Sequence, residues 1–243
     1  LAGCLITMGT LGDRIGRRRL LMIGAAAFGV CSVLAAFSTS AEMLIGSRAL
    51  LGVAAAPLAP STLALIRNMF LDERQRAVAI GIWVASFSAG GAAGPVIGGV
   101  LLGFFWWGSV FLIAVPVMGA LLVLGPRLLP ESRDPGAGRL DLLSAGLSVV
   151  SVLAIVYAIQ ATAAGGGGWP ATAALAGGLA AGAAFVRRQL THPDPLIDVG
   201  LLRMPAIGTC LAAYGLALAL VYGTDLLIAQ YLQLVLGFSP LVA

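Results

Sequence analysis

An all-α integral membrane bundle is the fold class this sequence predicts, and three observations carry it. Charged residues make up only 10% of the 243 residues, against about 25% in soluble domains. Uncharged apolar runs recur along the chain, and roughly 20 such residues suffice for one helical crossing of a bilayer. The arginines gather in alternate links between those runs. One large soluble domain is excluded by this pattern. The net charge of +4 is therefore read by its placement, and no nucleic-acid partner is expected.

Taken in order, residues 1–8 are apolar and short and read as the tail of a cut helix. Residues 9–19 read as a charged turn, with Gly9, Gly12 and Gly16 allowing the reversal. Residues 20–37 form the first complete span, and 38–42 a short polar link. Residues 43–66 form a second span with Pro57 and Pro60 inside it, followed by a polar stretch over 67–76. Residues 77–105 are a glycine-rich span. It runs into the aromatic cluster Phe104, Phe105, Trp106 and Trp107, which suits a membrane interface. Residues 109–124 span again, with Pro116 inside, and 127–141 read as a linker. Spans follow over 142–161 and 170–186, the second short and mostly Ala, Gly and Leu, around an exposed glycine loop at 164–169. After a polar stretch over 187–203 comes a long apolar run over 204–236, then Gly-Phe-Ser-Pro as another turn.

Charge placement tests this map. Arg14, Arg17, Arg18 and Arg19 share one link, and Arg67, Arg74 and Arg76 the next but one. Arg127, Arg133 and Arg139, then Arg187, Arg188 and Arg203, continue the alternation, making thirteen of the fourteen arginines. The links near residues 38, 108 and 165 carry none. The positive-inside rule produces this alternation and puts the arginine-bearing links in the cytoplasm. It also supports two spans between residues 142 and 186, since the arginine-bearing ends then return to the same side. All basic residues are arginine, which with the Ala and Gly excess points to a GC-biased genome.

Chemistry-bearing clusters are sparse. Cys4, Cys31 and Cys210 lie far apart in apolar segments and read as small buried hydrophobes, with no metal or disulfide spacing. No Gly-x-x-x-x-Gly-Lys loop exists, so ATP is not implied. No His/Cys/Asp cluster supports an enzyme, a metal site or a bound cofactor. His192, in Thr-His-Pro-Asp-Pro, reads as a solvated loop histidine.

The most unusual stretch is 90–102, Gly-Gly-Ala-Ala-Gly-Pro-Val-Ile-Gly-Gly-Val-Leu-Leu. At membrane depth its backbone must be hydrogen-bonded within a helix or buried against one. Gly90, Gly94 and Gly98 then share a face, the small-xxx-small pattern that lets another helix come close. Pro95 removes one backbone donor and sets a weak point in a tightly packed helix.

Three motifs carry a family resemblance. The run Gly9-Thr-Leu-Gly-Asp-Arg-Ile-Gly-Arg-Arg-Arg19 resembles the cytoplasmic signature between helices 2 and 3 of the major facilitator superfamily, in glycines, aspartate and arginines together. The resemblance implies that Gly9, Asp13, Arg14, Gly16, Arg17 and Arg18 gate the inward side by conformation-dependent charge pairing. Arg48, in Leu44-Ile-Gly-Ser-Arg-Ala-Leu-Leu-Gly52, is similar to the helix-4 motif of proton-coupled members. At mid-membrane an arginine costs about 2.5–3.5 kcal/mol on insertion scales, which favours a functional interior position; snorkelling to the outer interface is the alternative. Gly90, Gly94, Pro95, Gly98 and Gly99 resemble the helix-5 signature of antiporters. A static glycine zipper is the alternative there.

Later segments narrow the resemblance to the fourteen-helix drug:proton antiporters, because two spans stand where twelve-helix members have a central loop. The fold expected is a major facilitator helical bundle, incomplete, running from the end of helix 2 to about helix 9 of 14. Residues 1–130 would be the six-helix N-terminal half without helix 1 and most of helix 2. Residues 131–203 would be the linker with two inserted helices, and 204–243 the first helix of the C-terminal half.

By resemblance the parent protein exports lipophilic or cationic drugs by alternating access, driven by the proton gradient, in a bacterial inner membrane. Its partners would be the lipid bilayer, small substrates and protons. A nutrient importer and a non-transporting membrane fragment are the alternatives. Asp225 is an intramembrane carboxylate, either a proton or cation site or an interfacial group. It lies roughly 33 Å along a straight helix from Arg203. Trp83, Phe87, Tyr214 and Tyr222 are candidate cavity residues for flat apolar substrates, with lipid- or core-facing roles as the alternative.

Overall fold

The computed structural model describes residues 2–133, 141–192, 200 and 204–238. Arg139, Arg203 and the final turn residues Ser239 and Pro240 lie outside them. Among the described residues ten helices follow in order: α1 (Ala2–Ile15), α2 (Arg17–Ala36), α3 (Ala41–Ala55), α4 (Leu58–Met69), α5 (Glu73–Phe104), α6 (Ser109–Leu112), α7 (Ala114–Leu128), α8 (Leu142–Ala163), α9 (Trp169–Thr191) and α10 (Pro205–Leu234).

The expected charged turn over 9–19 is almost entirely helical. α1 runs through Gly9 and Gly12 to Ile15, and only Gly16 leaves helical geometry, at φ 113°. That positive φ favours glycine, and a single residue is enough to redirect the chain. Gly9 is therefore a helix residue and Gly12 a packing residue: a Cβ on Gly12 would lie 3.0 Å from the Arg17 side chain.

Prolines break two of the spans. α3 and α4 together cross as one segment, Ala41–Met69, interrupted at Ala56 and Pro57. Neither Pro57 nor Pro60 has an N–H for the helical ladder, and Ala56 N–H turns to Val53 O at 3.2 Å instead. The same reasoning applies to Ile113 between α6 and α7, three residues before Pro116. Pro95 behaves differently, since α5 runs through it without a break.

α2 is the centre of the packed region. Its buried residues include Leu21, Gly24, Ala25, Cys31, Ser32 and Ala35, spaced along one face. Cys31 and Ala35 join Leu51 in a cluster against Phe28, Leu44 and Phe111. Gly24 admits the α3–α4 break, because a Cβ there would meet Pro57 Cγ at 2.7 Å. Of the three cysteines only Cys31 is buried; Cys210 is exposed and Cys4 intermediate.

α8 and α9 form a separate close hairpin that also packs on α1. Ser144, Ser151 and Ala158 recur every seventh residue on α8, opposite Ala171 and Gly178 on α9. α10 buries none of its residues. α5 buries only Gly99.

Candidate functional site: a charged clasp and an aromatic wall

Three links meet at one end of the bundle. The extended segment after α7 returns to the α1–α2 turn, where Arg17 N–H donates to Ser132 O at 2.9 Å. Glu131 reaches into the turn: its Oε1 accepts from Arg18 N–H at 3.2 Å. Its Oε2 stands 3.7 Å from Arg18 Nε and 3.8 Å from Arg19 Nε. Gly16 faces this carboxylate so closely that any Cβ would collide with it. Arg18 also donates to Leu129 O at 3.0 Å, capping the end of α7. Asp13 pairs with Arg17 one turn on, and Asn68, at the end of α4, donates to Ser132 Oγ.

The six expected gating residues thus divide by role. Asp13, Arg17, Gly16 and Arg18 are brought together, and Gly9 stands apart on α1. Arg14 is exposed and pairs with no carboxylate among the described residues. Glu131 is the clasp residue that motif reasoning missed. Its signal is an acid in Pro-Glu-Ser beside a strongly basic end, 113 positions from its partner.

Arg48 is exposed on α3 and projects over Phe111 of α6, its guanidinium carbon 4.7 Å from the ring centroid. A cation held on a ring face gains about 0.5–2 kcal/mol, the higher figure when water is excluded. Phe28, Ser32 and Leu51 line the same groove. Arg48 has no carboxylate partner among the described residues, and Asp225 is not brought to it.

The aromatic wall is half assembled. Trp83 and Phe87 pack edge to face with centroids 4.7 Å apart. Trp83 Nε1 donates to Thr62 Oγ1 at 3.2 Å, which ties α5 to α4. Thr62 was not anticipated. Tyr214 and Tyr222 stand exposed on α10 and do not join this wall. Gly90, Gly94 and Gly98 have open space where a Cβ would stand, so no close helix packing occurs on that face among the described residues. The geometric reason is that α5 touches only α4 and α6 appreciably.

A second charge cluster links α8 and α9. Asp141 caps α8, accepting from Ser144 N–H at 3.2 Å. Arg188 of α9 binds it bidentately, Nε to Oδ2 at 2.7 Å and an Nη to Oδ1 at 3.1 Å. Gln189 donates to Ser144 Oγ at 2.9 Å. His192 is not a free loop side chain; its Nε2 lies 3.9 Å from Asp141 Oδ2. The hydrogen bonds from Arg188 hold the Asp141 carboxyl well below the usual carboxylate range, against the upward pull of burial and with help from Ser144.

Seven segments among the described residues are long and apolar enough to cross a membrane, and they define a multi-pass membrane protein. The major facilitator superfamily model matches residues 2–243, and the chain belongs to that family. It is 53% identical over 243 residues to the multidrug efflux pump LfrA of Mycolicibacterium smegmatis, covering all of this chain and 48% of that protein. It is 40% identical to the methyl viologen resistance protein SmvA of Salmonella typhimurium, covering 99% of this chain and 49% of the relative. The multidrug resistance protein Stp of Mycobacterium tuberculosis is 32% identical, with 45% of its length covered. The chain spans about half the length of the curated relatives it matches.

Proposed function

We propose that the intact protein exports lipophilic or cationic drugs in exchange for protons by alternating access, and that this chain supplies its gating end and one wall of its cavity. The observation that carries the reading is the clasp at Gly16, where Glu131 and Ser132 meet Arg17 and Arg18 and Asn68 brings in the end of α4. Such charge pairing holds α1, α2 and α7 together at one end, so they move as a unit while the opposite half rocks. Residues 1–130 are read as the N-terminal half, 131–203 as the linker with the inserted α8–α9 pair, and 204–243 as the start of the C-terminal half. The arginine-bearing links face the cytoplasm of a bacterial inner membrane, on the positive-inside rule.

Trp83 and Phe87 offer a flat π surface to a planar cation. Arg48 tunes a proton-accepting group supplied by another helix, and Asp225 is the carboxylate this chain offers for that role. The relatives named for multidrug efflux and methyl viologen resistance favour this substrate class.

The test uses the complete reading frame in inverted membrane vesicles with an imposed proton gradient. Methyl viologen accumulation, accompanied by proton efflux from the vesicle lumen, is the expected result. Substrate movement in the same direction as protons would replace the antiporter with an importer. Unchanged transport in both Arg48→Ala and Asp225→Asn would remove their coupling roles.

A further inference from the structure

A cavity of about 570 Å³ lies beside the clasp, between the α1–α2 turn, the end of α4 and the segment after α7. Three arginines line it, Arg17, Arg67 and Arg133, with a single acidic residue, Asp13. Asp13 is already paired with Arg17. Arg67 and Arg133 have no ion pair among the described residues. Arg17 Nε is buried and has no hydrogen-bond partner among the described residues.

We infer that this cavity binds a phosphate group. The arginines come from three separate elements, so their donors approach from different directions. That arrangement fits a tetrahedral anion, whereas a single planar carboxylate is satisfied by one guanidinium fork. The cradle is also built. Ser132 is held on one side by Arg17 N–H and on the other by Asn68, which fixes the backbone that carries Arg133. Asp13 offsets one of the three positive charges, and holding the remaining two together costs free energy unless an anion neutralises them. The volume accommodates a phosphate together with the group that bears it.

The bearer is either a membrane lipid or a soluble phosphate. Arg17 opens one membrane span and Arg67 stands near the end of another, so the cavity lies at the bilayer boundary and both sources reach it. The site does not depend on the transport reading, because binding needs only these three links.

The purified chain in maltoside micelles, which contain no phosphate, is titrated in one arm with pyrophosphate and in the other with phosphatidylglycerol. Thermal unfolding is followed at constant ionic strength, so that general screening is held fixed. One ligand raises the midpoint in the wild type. Arg67→Gln/Arg133→Gln weakens that response at least tenfold, and Arg67→Lys/Arg133→Lys restores part of it. Arg187→Gln, an exposed arginine on α9, leaves it intact. A pyrophosphate response assigns a soluble source and a phosphatidylglycerol response alone a lipid. No midpoint change with either ligand, or equal changes in the double-glutamine variant and the Arg187 control, overturns the inference. If the double-glutamine variant does not fold, Arg133→Gln alone replaces it and must show a weaker response than the control.

Discussion

α5 and α9 both carry glycines four residues apart, and the two faces meet opposite fates. On α9, a Cβ at Gly178 would stand 2.9 Å from Ile155 Cγ1 and 3.1 Å from Ala154 Cβ. At Gly182 it would stand 2.9 Å from Ser151 Oγ. On α5, Gly90, Gly94 and Gly98 have nothing within 4 Å. Spacing alone puts small residues on one face; only a second helix of matching shape turns that face into an interface. α8 supplies it for α9, with Ser144, Ser151 and Ala158 in a seven-residue repeat. Such a repeat keeps the seam between two helices aligned over several turns.

The largest effect in this chain is therefore expected at Gly178. Gly178→Leu would drive a side chain into Ile155 and Ala154 and cost about 3 kcal/mol, the upper end for overpacking. Its readout is cysteine cross-linking between α8 and α9, which should fall sharply together with the thermal midpoint. Unchanged cross-linking would mean the hairpin does not close through this glycine.

Asp141→Asn comes next. The substitution keeps an acceptor for the Ser144 cap and removes the charge that Arg188 grips from two sides. A loss of about 2 kcal/mol is expected, below the full cost of breaking a buried pair because Arg188 is 34% exposed. Its pH dependence follows from the depressed carboxyl. The stabilisation is fully present above the unfolded value of about 3.9 and is lost only as pH falls below it. Wild type and variant should therefore differ by a constant amount from pH 7 to about pH 4 and converge in stronger acid. Convergence already near pH 6 would show that Arg188 does not hold this carboxyl low.

These two helices also mark what the sequence made legible. Apolar runs located the seven candidate spans among the described residues, because the bilayer imposes a length on each crossing. The chemistry of a cluster was harder. Asp141 and Arg188 are 47 positions apart, and Glu131 and Arg18 are 113 apart, so no local spacing joins them. Asp13 and Arg17 are one helical turn apart, which is why their motif was readable. The turn at Gly16 was overestimated for a related reason. Glycines marked the region as loop-like, but a backbone entering a bilayer stays hydrogen-bonded wherever it can. Tyr214, Tyr222 and Asp225 depend on what faces α10, and nothing local encodes that.

Ser151→Ala tests a finer feature of the closed face. Ser151 Oγ donates to Gly178 O at 2.9 Å, a contact between helices that only a glycine at 178 admits. Interhelical hydrogen bonds of this kind average about 0.6 kcal/mol in membranes. A midpoint shift of that size, with cross-linking between α8 and α9 retained, separates the hydrogen bond from the shape fit. A loss as large as that of Gly178→Leu would show that the polar contact, and not the missing side chain, closes the pair.

The smallest effect on this chain is expected at Gly94, and it decides what the open face is for. A Cβ there has nothing within 4 Å, so Gly94→Leu should change the stability of the 243-residue chain by less than about 0.5 kcal/mol. In the complete reading frame the outcome should differ. If α5 uses this face to approach a helix of the other half, the same leucine holds the two apart and lowers export about tenfold, equivalent to about 1.4 kcal/mol. A chain destabilised by Gly94→Leu would mean that the face is already packed within these residues. Unimpaired export in the complete protein would leave α5 a lipid-facing helix, and its glycines would then carry no antiporter role.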